Sequence, residues 1–369
     1  MKDNQIFKIY GTDFKENTKK ILEASDLAGR IPGRETRIAI KPNLVSESDP
    51  SMGAVTHPEI VEGIIEYLRE RGFENLVIAE SSWVGSRTRD VIEAAGYDAL
   101  LARCGVPFLD MQKDAAVTKD AAGLELHVCR STEEFGFLIN VPVMKGHCQT
   151  KITCALKNMK GLIPNTEKRR FHSLGLHKPI AHLATVLHPD FIVVDHICGD
   201  LDFEDGGHPV VRNCIMTGID PVLMDAYVCH LMHYEVSEVP YIVLAEQLGC
   251  GSTDLSRAEI TVLGGADEEA GEALPAERRI VAVEDTVDEV ESCSACYGSL
   301  IPALDRLREE GLLERLDEKI CIGQGFKGKT GALGAGACTR HFAYTVPGCP
   351  PTENQMYESL KAYIESRNA

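Results

Sequence analysis

Between Asn140 and Lys178 the chain reads NVPVMKGHCQTKITCALKNMKGLIPNTEKRRFHSLGLHK, a stretch rich in lysine and histidine. Lys145 and His147 follow an apolar, strand-like run from Phe137 to Met144. A helix is expected from about Thr150 to Met159, with Gly161 as its stop. At about 100° per residue, Thr150, Thr153, Lys157 and Lys160 share one side of it, with Lys151 and Asn158 flanking; Ile152, Ala155, Leu156 and Met159 share the other. That polar side holds lysines and no acid, in a chain of 38 basic and 56 acidic residues with a formal net charge of −18. A concentrated basic face in an acidic protein points to a small anionic ligand, such as a carboxylate or phosphate. A lysine would hold the anion, and Lys145 or His147 would serve as general acid or base. A solvated helix face has the same pattern; Lys145, His147, His172 and His177 beside it favour the ligand.

A second chemical set lies near the C-terminus. Cys293 and Cys296 form a C-x-x-C pair, Cys338 follows in G-A-C, and Cys349 stands in G-C-P-P. Four thiolates are the usual complement of a [4Fe–4S] cluster, and these four are the expected metal ligands. Tetrahedral zinc is the chemical rival, because the same thiolates satisfy it. Cys321, in a short strand-like run, is the reserve ligand. It precedes the glycine-rich GQGFKGKTGALGAG, whose backbone N–H groups suit the approach to a negatively charged cluster. The chain has 13 cysteines, an odd number. With no apolar signal core at the N-terminus, they imply reduced thiols in a cytoplasmic protein rather than a disulfide framework. Cys154, Cys198, Cys214 and Cys229 lie in or beside apolar runs and read as small core residues. Cys148, between His147 and the lysines, is a candidate nucleophile or ligand. His172, His177 and His182 are spaced by five and do not share a helical face.

The elements that position these residues alternate strand and helix. The rhythm predicts a mostly parallel, doubly wound α/β sheet with a smaller C-terminal cysteine-bearing module. Ligands of such sheets bind beyond the carboxyl ends of the strands. Residues Thr36–Ile40 read as a strand ending at Lys41 and Asn43, and Asn75–Ala79 as one ending at Glu80 and Ser81. Phe191–Val194 ends at Asp195. Thr56-His57-Pro58-Glu59 reads as a capping box opening a helix, and Asp220 as an N-cap before Pro221. The expected ligand-binding set is therefore Lys41, Asn43, His57, Glu80, Ser81, Lys157, Asn158, His177 and Asp195. No G-x-G-x-x-G follows the first strand and no P-loop occurs, which argues against a standard nucleotide site. The expected domains are residues 1–266, an acidic linker or domain edge at 267–291, and a cysteine module at 292–369.

A length of 369 residues allows two or three domains, and 44% apolar with 25% charged content is that of a globular protein. No apolar run is long enough to cross a membrane. The acidic balance argues against a nucleic-acid partner.

The ordered motifs K-P-N, T-H-P-E, P-V-M-K-G-H, A-L-K-N-M-K-G, V-D-H, G-G-H-P and G-I-D-P-V-L-M-D-A, over residues 36–230, resemble the domain-of-unknown-function 362 family. The resemblance implies one α/β catalytic-type domain with Lys41, Asn43, Lys145, His147, Lys157, Asn158 and Asp195 near one cleft, often beside an iron–sulfur module. The compact ferredoxin run C-x2-C-x2-C-x3-C is absent. The C-x-x-C, G-x-C and G-C-P-P pattern is similar to the cluster-binding pattern of hydrogenase small subunits and related quinone-reductase subunits. Together these imply an iron–sulfur oxidoreductase that binds a small anion and exchanges electrons with a partner protein. The alternatives are a redox-independent isomerase or transferase with a structural cluster or zinc, and a non-catalytic electron-carrier subunit.

Overall fold

Short, wholly apolar runs dictate the centre of the molecule. In a computed structural model, which describes residues 1–264, 274–275 and 278–367, the strands Ile38–Pro42, Leu76–Glu80 and Phe137–Val141 are buried at every position. Parallel strands covered on both faces have this texture. They belong to an eight-stranded sheet, in the order Glu259–Leu263, Gln5–Tyr10, Pro209–Gly218, Phe191–Asp200, Phe137–Val141, Ile38–Pro42, Leu76–Glu80, Phe108–Asp110. Only Pro209–Gly218 pairs antiparallel with its neighbours; every other pairing is parallel. The expected mostly parallel sheet is present.

The chain divides into two compact units, Met1–Phe171 with His177–Leu274, and His172–Leu176 with Pro275–Ala369. The second unit holds a four-stranded parallel sheet, Val287–Glu289, Ile320–Ile322, Leu333–Ala335 and Tyr344–Val346, with helices Ser294–Glu309 and Glu353–Arg367. Of the stretch read as an acidic linker, residues 267–273 and 276–277 lie outside the described residues. Residues 281–284 of it are helical, and 287–289 form the first strand of the small sheet.

Three local expectations change. The helix expected from Thr150 starts only at Ala155. Lys151–Thr153 is instead a strand paired antiparallel with Lys145–His147. The β-branched Ile152 and Thr153 favour that extended form. The Asp225 carboxylate then accepts the N–H groups of Ala155 (2.7 Å) and Leu156 (3.1 Å) and so fixes where the helix begins. The Phe191 strand does not end at Asp195 but runs to Asp200; Asp195 still pairs with Val143, two residues past the end of the neighbouring strand. The capping box is not formed. Thr56 Oγ1 donates to the Val141 carbonyl and accepts from Asn43 N, and helix Pro58–Glu70 begins at His57 with no side-chain cap. Asp220 does cap its helix, accepting from Val222 and Leu223.

Candidate functional site

The carboxyl edge of the large sheet carries the lysines, but they are not the open face of a helix. Lys145 and His147 sit on one strand of the short hairpin, and Lys157 on the turn of helix that follows it. All three are buried. One acid from a distant loop gathers them. Glu204 Oε1 accepts from Lys157 Nζ at 2.5 Å and Oε2 meets His147 Nε2 at 3.1 Å, while the Glu204 carbonyl accepts from Lys145 Nζ at 2.7 Å. Burial pushes the Glu204 carboxyl up, but the charges of Lys157 and Lys145 and the hydrogen bond from His147 outweigh it and hold it well below the usual range. The loop is shaped by buried Asp200, whose Oδ1 accepts from Asp202 N and Phe203 N and whose Oδ2 accepts from His208 N. Gly206 (φ +78°) closes it where a Cβ would strike the Met52 carbonyl.

These contacts settle the states of the two groups expected as acid and base. His147 Nδ1 accepts the backbone N–H groups of Gln149 (3.0 Å) and Thr150 (3.1 Å), so the ring proton is on Nε2 and points at Glu204. Burial and the charge of Lys157 push the imidazole down to about 4, so it is neutral at pH 7. Lys145, pushed down to about 8 chiefly by burial, also donates to the Ala54 carbonyl at 2.6 Å. Both groups thus hold loops together. Burial pushes the neighbouring Cys148 thiol up to about 12, which disfavours the thiolate a nucleophile requires.

A second buried layer continues the edge. Lys41 pairs with Glu80, both almost without solvent contact. A Cβ on Gly161 would collide with that ion pair, so only glycine fits there. Ser81 Oγ donates to the Gly161 carbonyl, and Lys168 Nζ reaches Ser81 O, Ser81 Oγ and Ser82 O at 2.6–2.7 Å. Asn158 donates to Asn140 Oδ1 at 2.7 Å and toward the Lys41 carbonyl at 3.4 Å. Asn43 enters through its backbone pairing with Thr56.

One lysine stands apart. Lys160, in the tight turn Met159–Leu162, is half-buried, and among the described residues its amine has no hydrogen-bond or ion-pair partner. Burial, then the charges of Lys157 and Lys168, push it down to about 7, against the pull of Glu204. This is the arrangement of a cation available to an incoming anion.

Of the remaining expected residues, His57 and Asp195 bind each other, and His177 is not brought to the lysines. Its ring lies against Tyr241 (centroids 6.0 Å apart), and burial alone acts on its titration. The sequence reading missed Glu204, Lys168 and the isolation of Lys160. The acids of D-L-D-F-E-D were the available signal, as counter-charges for a lysine group with none of its own.

In the second unit Cys293, Cys296, Cys338 and Cys349 come together beyond the carboxyl ends of the small sheet. Cys293 caps helix Ser294–Glu309 and Cys296 lies in its first turn; Cys338 follows strand Leu333–Ala335 and Cys349 follows Tyr344–Val346. Burial, then the charges of the other three thiols, push Cys296 up to about 12; burial and the charges of Cys338 and Cys349 raise Cys293. Cys296 Sγ sits against Gly336 (φ +83°), where a Cβ would come within 2.9 Å of the sulfur. Cys321 faces Asp288 Oδ2 instead, at 3.9 Å. Among the described residues, no three His, Cys, Asp or Glu side chains are already spaced to grip a metal ion.

The profile of the family described as "Domain of unknown function (DUF362)" matches residues 38–230. The chain belongs to the DUF362 family. The matched span holds the whole lysine group and its Glu204 counter-charge. A thylakoid-associated protein of Synechocystis sp. is 24% identical over 254 residues, 66% of this chain and 76% of that protein. Among solved structures, the lactate racemase apoprotein of Thermoanaerobacterium thermosaccharolyticum gives a TM-score of 0.41 at 15% identity, over 65% of this chain and 59% of its own. A Thermotoga maritima protein gives 0.38 at 15%, over 64% and 60%. No described helix of this DUF362 member is long and apolar enough to cross a membrane.

Proposed function

We propose that this protein is an iron–sulfur redox protein whose α/β unit binds a small anionic molecule at Lys160. The observation that carries the reading is the meeting of Cys293, Cys296, Cys338 and Cys349 at one sheet edge. The chemistry of the donors, rather than their present spacing, supports the group. The set offers four thiols, a glycine backbone packed against one of them, and Gln324 Nε2 near Cys293 Sγ at 3.9 Å. Burial and the neighbouring thiols raise the proton affinity of Cys293 and Cys296, and a bound cation would relieve that repulsion by drawing the cysteines in as thiolates. A [4Fe–4S] cluster held there supplies one-electron transfer. In the first unit, Lys160 would take the anion, Lys157 and Lys168 would add positive potential, and His147 and Lys145 would keep Glu204 turned away from it.

Anaerobic purification with iron and sulfide analysis tests this. The protein should be brown, with about four iron and four sulfide per chain, and Cys349→Ser should lose most of both. A colourless protein carrying one zinc, or undiminished iron in Cys349→Ser, would overturn the assignment. Reversible bleaching by a reductant would support the redox role; a cluster that does not bleach would leave the redox-independent alternative.

A further inference from the structure

The same edge of the large sheet carries a second arrangement, turned away from the lysines. Asp195 is fully buried, and its Oδ2 accepts both the His57 backbone N–H and the His57 ring Nδ1 at 2.8 Å. Its Oδ1 accepts from Ile197 N at 3.0 Å. A proton is therefore fixed on Nδ1, and Nε2 points the other way. Cys198 Sγ lies there, 3.9 Å from Nε2. Residues three apart on a regular strand face opposite sides. The strand is irregular at this place, with its register shifting between His196 and Cys198. Such bulges re-aim a side chain, and here Cys198 and Asp195 both reach His57. Cys198 is thus buried, as its apolar setting suggested, but it is not merely a core filler.

The surroundings suit a reactive sulfur. One turn of chain covers it: as a thiol, Cys198 donates toward the Pro50 and Ser51 carbonyls at 3.5 and 3.6 Å, as Cys129 does toward the Met111 carbonyl, so the facing His57 ring is what sets Cys198 apart; Ser51 and Met52 are exposed. Burial lowers the proton affinity of His57, but the Asp195 charge and hydrogen bond raise it further, to about 10. Asp49 is the other acid bearing on the ring, and Phe14 packs beside it at 5.8 Å between centroids. Across the neutral range a positive imidazolium faces the sulfur.

We propose that Asp195, His57 and Cys198 act as a unit that makes Cys198 a modification site for small electrophiles, hydroperoxides in particular. The thiolate sulfur attacks one peroxide oxygen. An S–O bond forms and the O–O bond breaks. The departing hydroxide takes the proton from His57 Nε2 and leaves as water. The sulfur is oxidised to a sulfenic acid and the peroxide is reduced. Cys129 is the internal standard: it is buried, its thiol donates to the Met111 carbonyl, and burial pushes it up to about 12.

The test uses the full chain, treated with hydrogen peroxide in the presence of dimedone and read peptide by peptide by mass spectrometry. At neutral pH Cys198 should label at least about tenfold faster than Cys129. Its alkylation by iodoacetamide should be nearly flat from about pH 6 to 8, where an ordinary thiol gains about tenfold per pH unit. His57→Gln should slow Cys198 by about tenfold or more and restore the ordinary pH dependence. Equal labelling of Cys198 and Cys129, or a His57→Gln protein with the wild-type rate and pH profile, would overturn the proposal. If His57→Gln does not fold, the comparison of the two cysteines within the native protein decides alone.

Discussion

At the carboxyl edge of the large sheet, charge is already balanced inside the protein. Glu204 answers Lys157 and caps the environment of Lys145 and His147, and Glu80 answers Lys41. At the carboxyl edge of the small sheet, four thiols lie near one another, and among the described residues Lys327 is the cation that acts on Cys293. Both edges sit where parallel strands end and where ligands of such sheets bind. The first is complete before any ligand arrives and leaves one amine over. The second is a set of like donors, which on the proposed reading would gain its stability from what it binds. A buried ionic network therefore reads as scaffold here, and the proposed sites of binding are the groups the network leaves unanswered.

If the second unit holds a metal as proposed, removing it should break the comparison most visibly. Structural metal binding contributes directly to folding. Stripping the protein with a chelator and an oxidant should lower the melting of the second unit by more than about 10 °C, since about 1 kcal/mol shifts a domain of that size by about 4–8 °C. The melting of the first unit should stay in place. Differential scanning calorimetry reads both; a single transition unmoved by metal removal would contradict the difference drawn between the edges.

The next largest effect should come from unbalancing the first edge. Glu80→Gln leaves the Lys41 ammonium buried without its counter-charge, a loss of about 3–5 kcal/mol. The double variant Lys41→Met, Glu80→Leu should recover most of it, because a buried pair replaced by apolar groups is often neutral. Urea unfolding of the first unit measures both, with iron content unchanged as the control. A Glu80→Gln protein of wild-type stability would show that the pair is not the scaffold it is taken for.

How much of this was readable from residues alone follows from which signals are local. The parallel sheet was legible because short apolar runs such as Leu76–Ala79 carry their own pattern. The positions of Lys41, Glu80 and Lys145 at the carboxyl edge followed from it. The helix boundary at Ala155 was not legible, because it is set by Asp225, about 70 residues away in the chain. The lysines looked unanswered for the same reason: Glu204 arrives from a loop whose turn residues gave no register. The meeting of the four cysteines was legible because C-x-x-C and G-C-P-P fall at strand ends in their own unit. Cys198 was hidden by the bulge, since regular alternation would have turned it from His57.

The smallest predicted effect is the most specific to the unanswered amine. Lys160 is pushed down to about 7, so its amine is charged below that pH and neutral above it. An anion held by it should bind more weakly as the pH rises from about 6 to 8. Sulfate and methanesulfonate keep their charge over that range and are suitable probes. Lys160→Arg stays protonated throughout, so its binding should be strong and nearly flat with pH. Lys160→Met should be weak and flat, about tenfold or more below the wild-type affinity at low pH, as expected for one lost charge-assisted hydrogen bond. Isothermal titration of the three proteins separates the cases. Lys157 and Lys168 would contribute only background potential, because their amines are engaged by Glu204 and by the Ser81 and Ser82 oxygens. If wild type and Lys160→Met bind these anions alike at every pH, the anion is not held at Lys160, whatever the second unit carries.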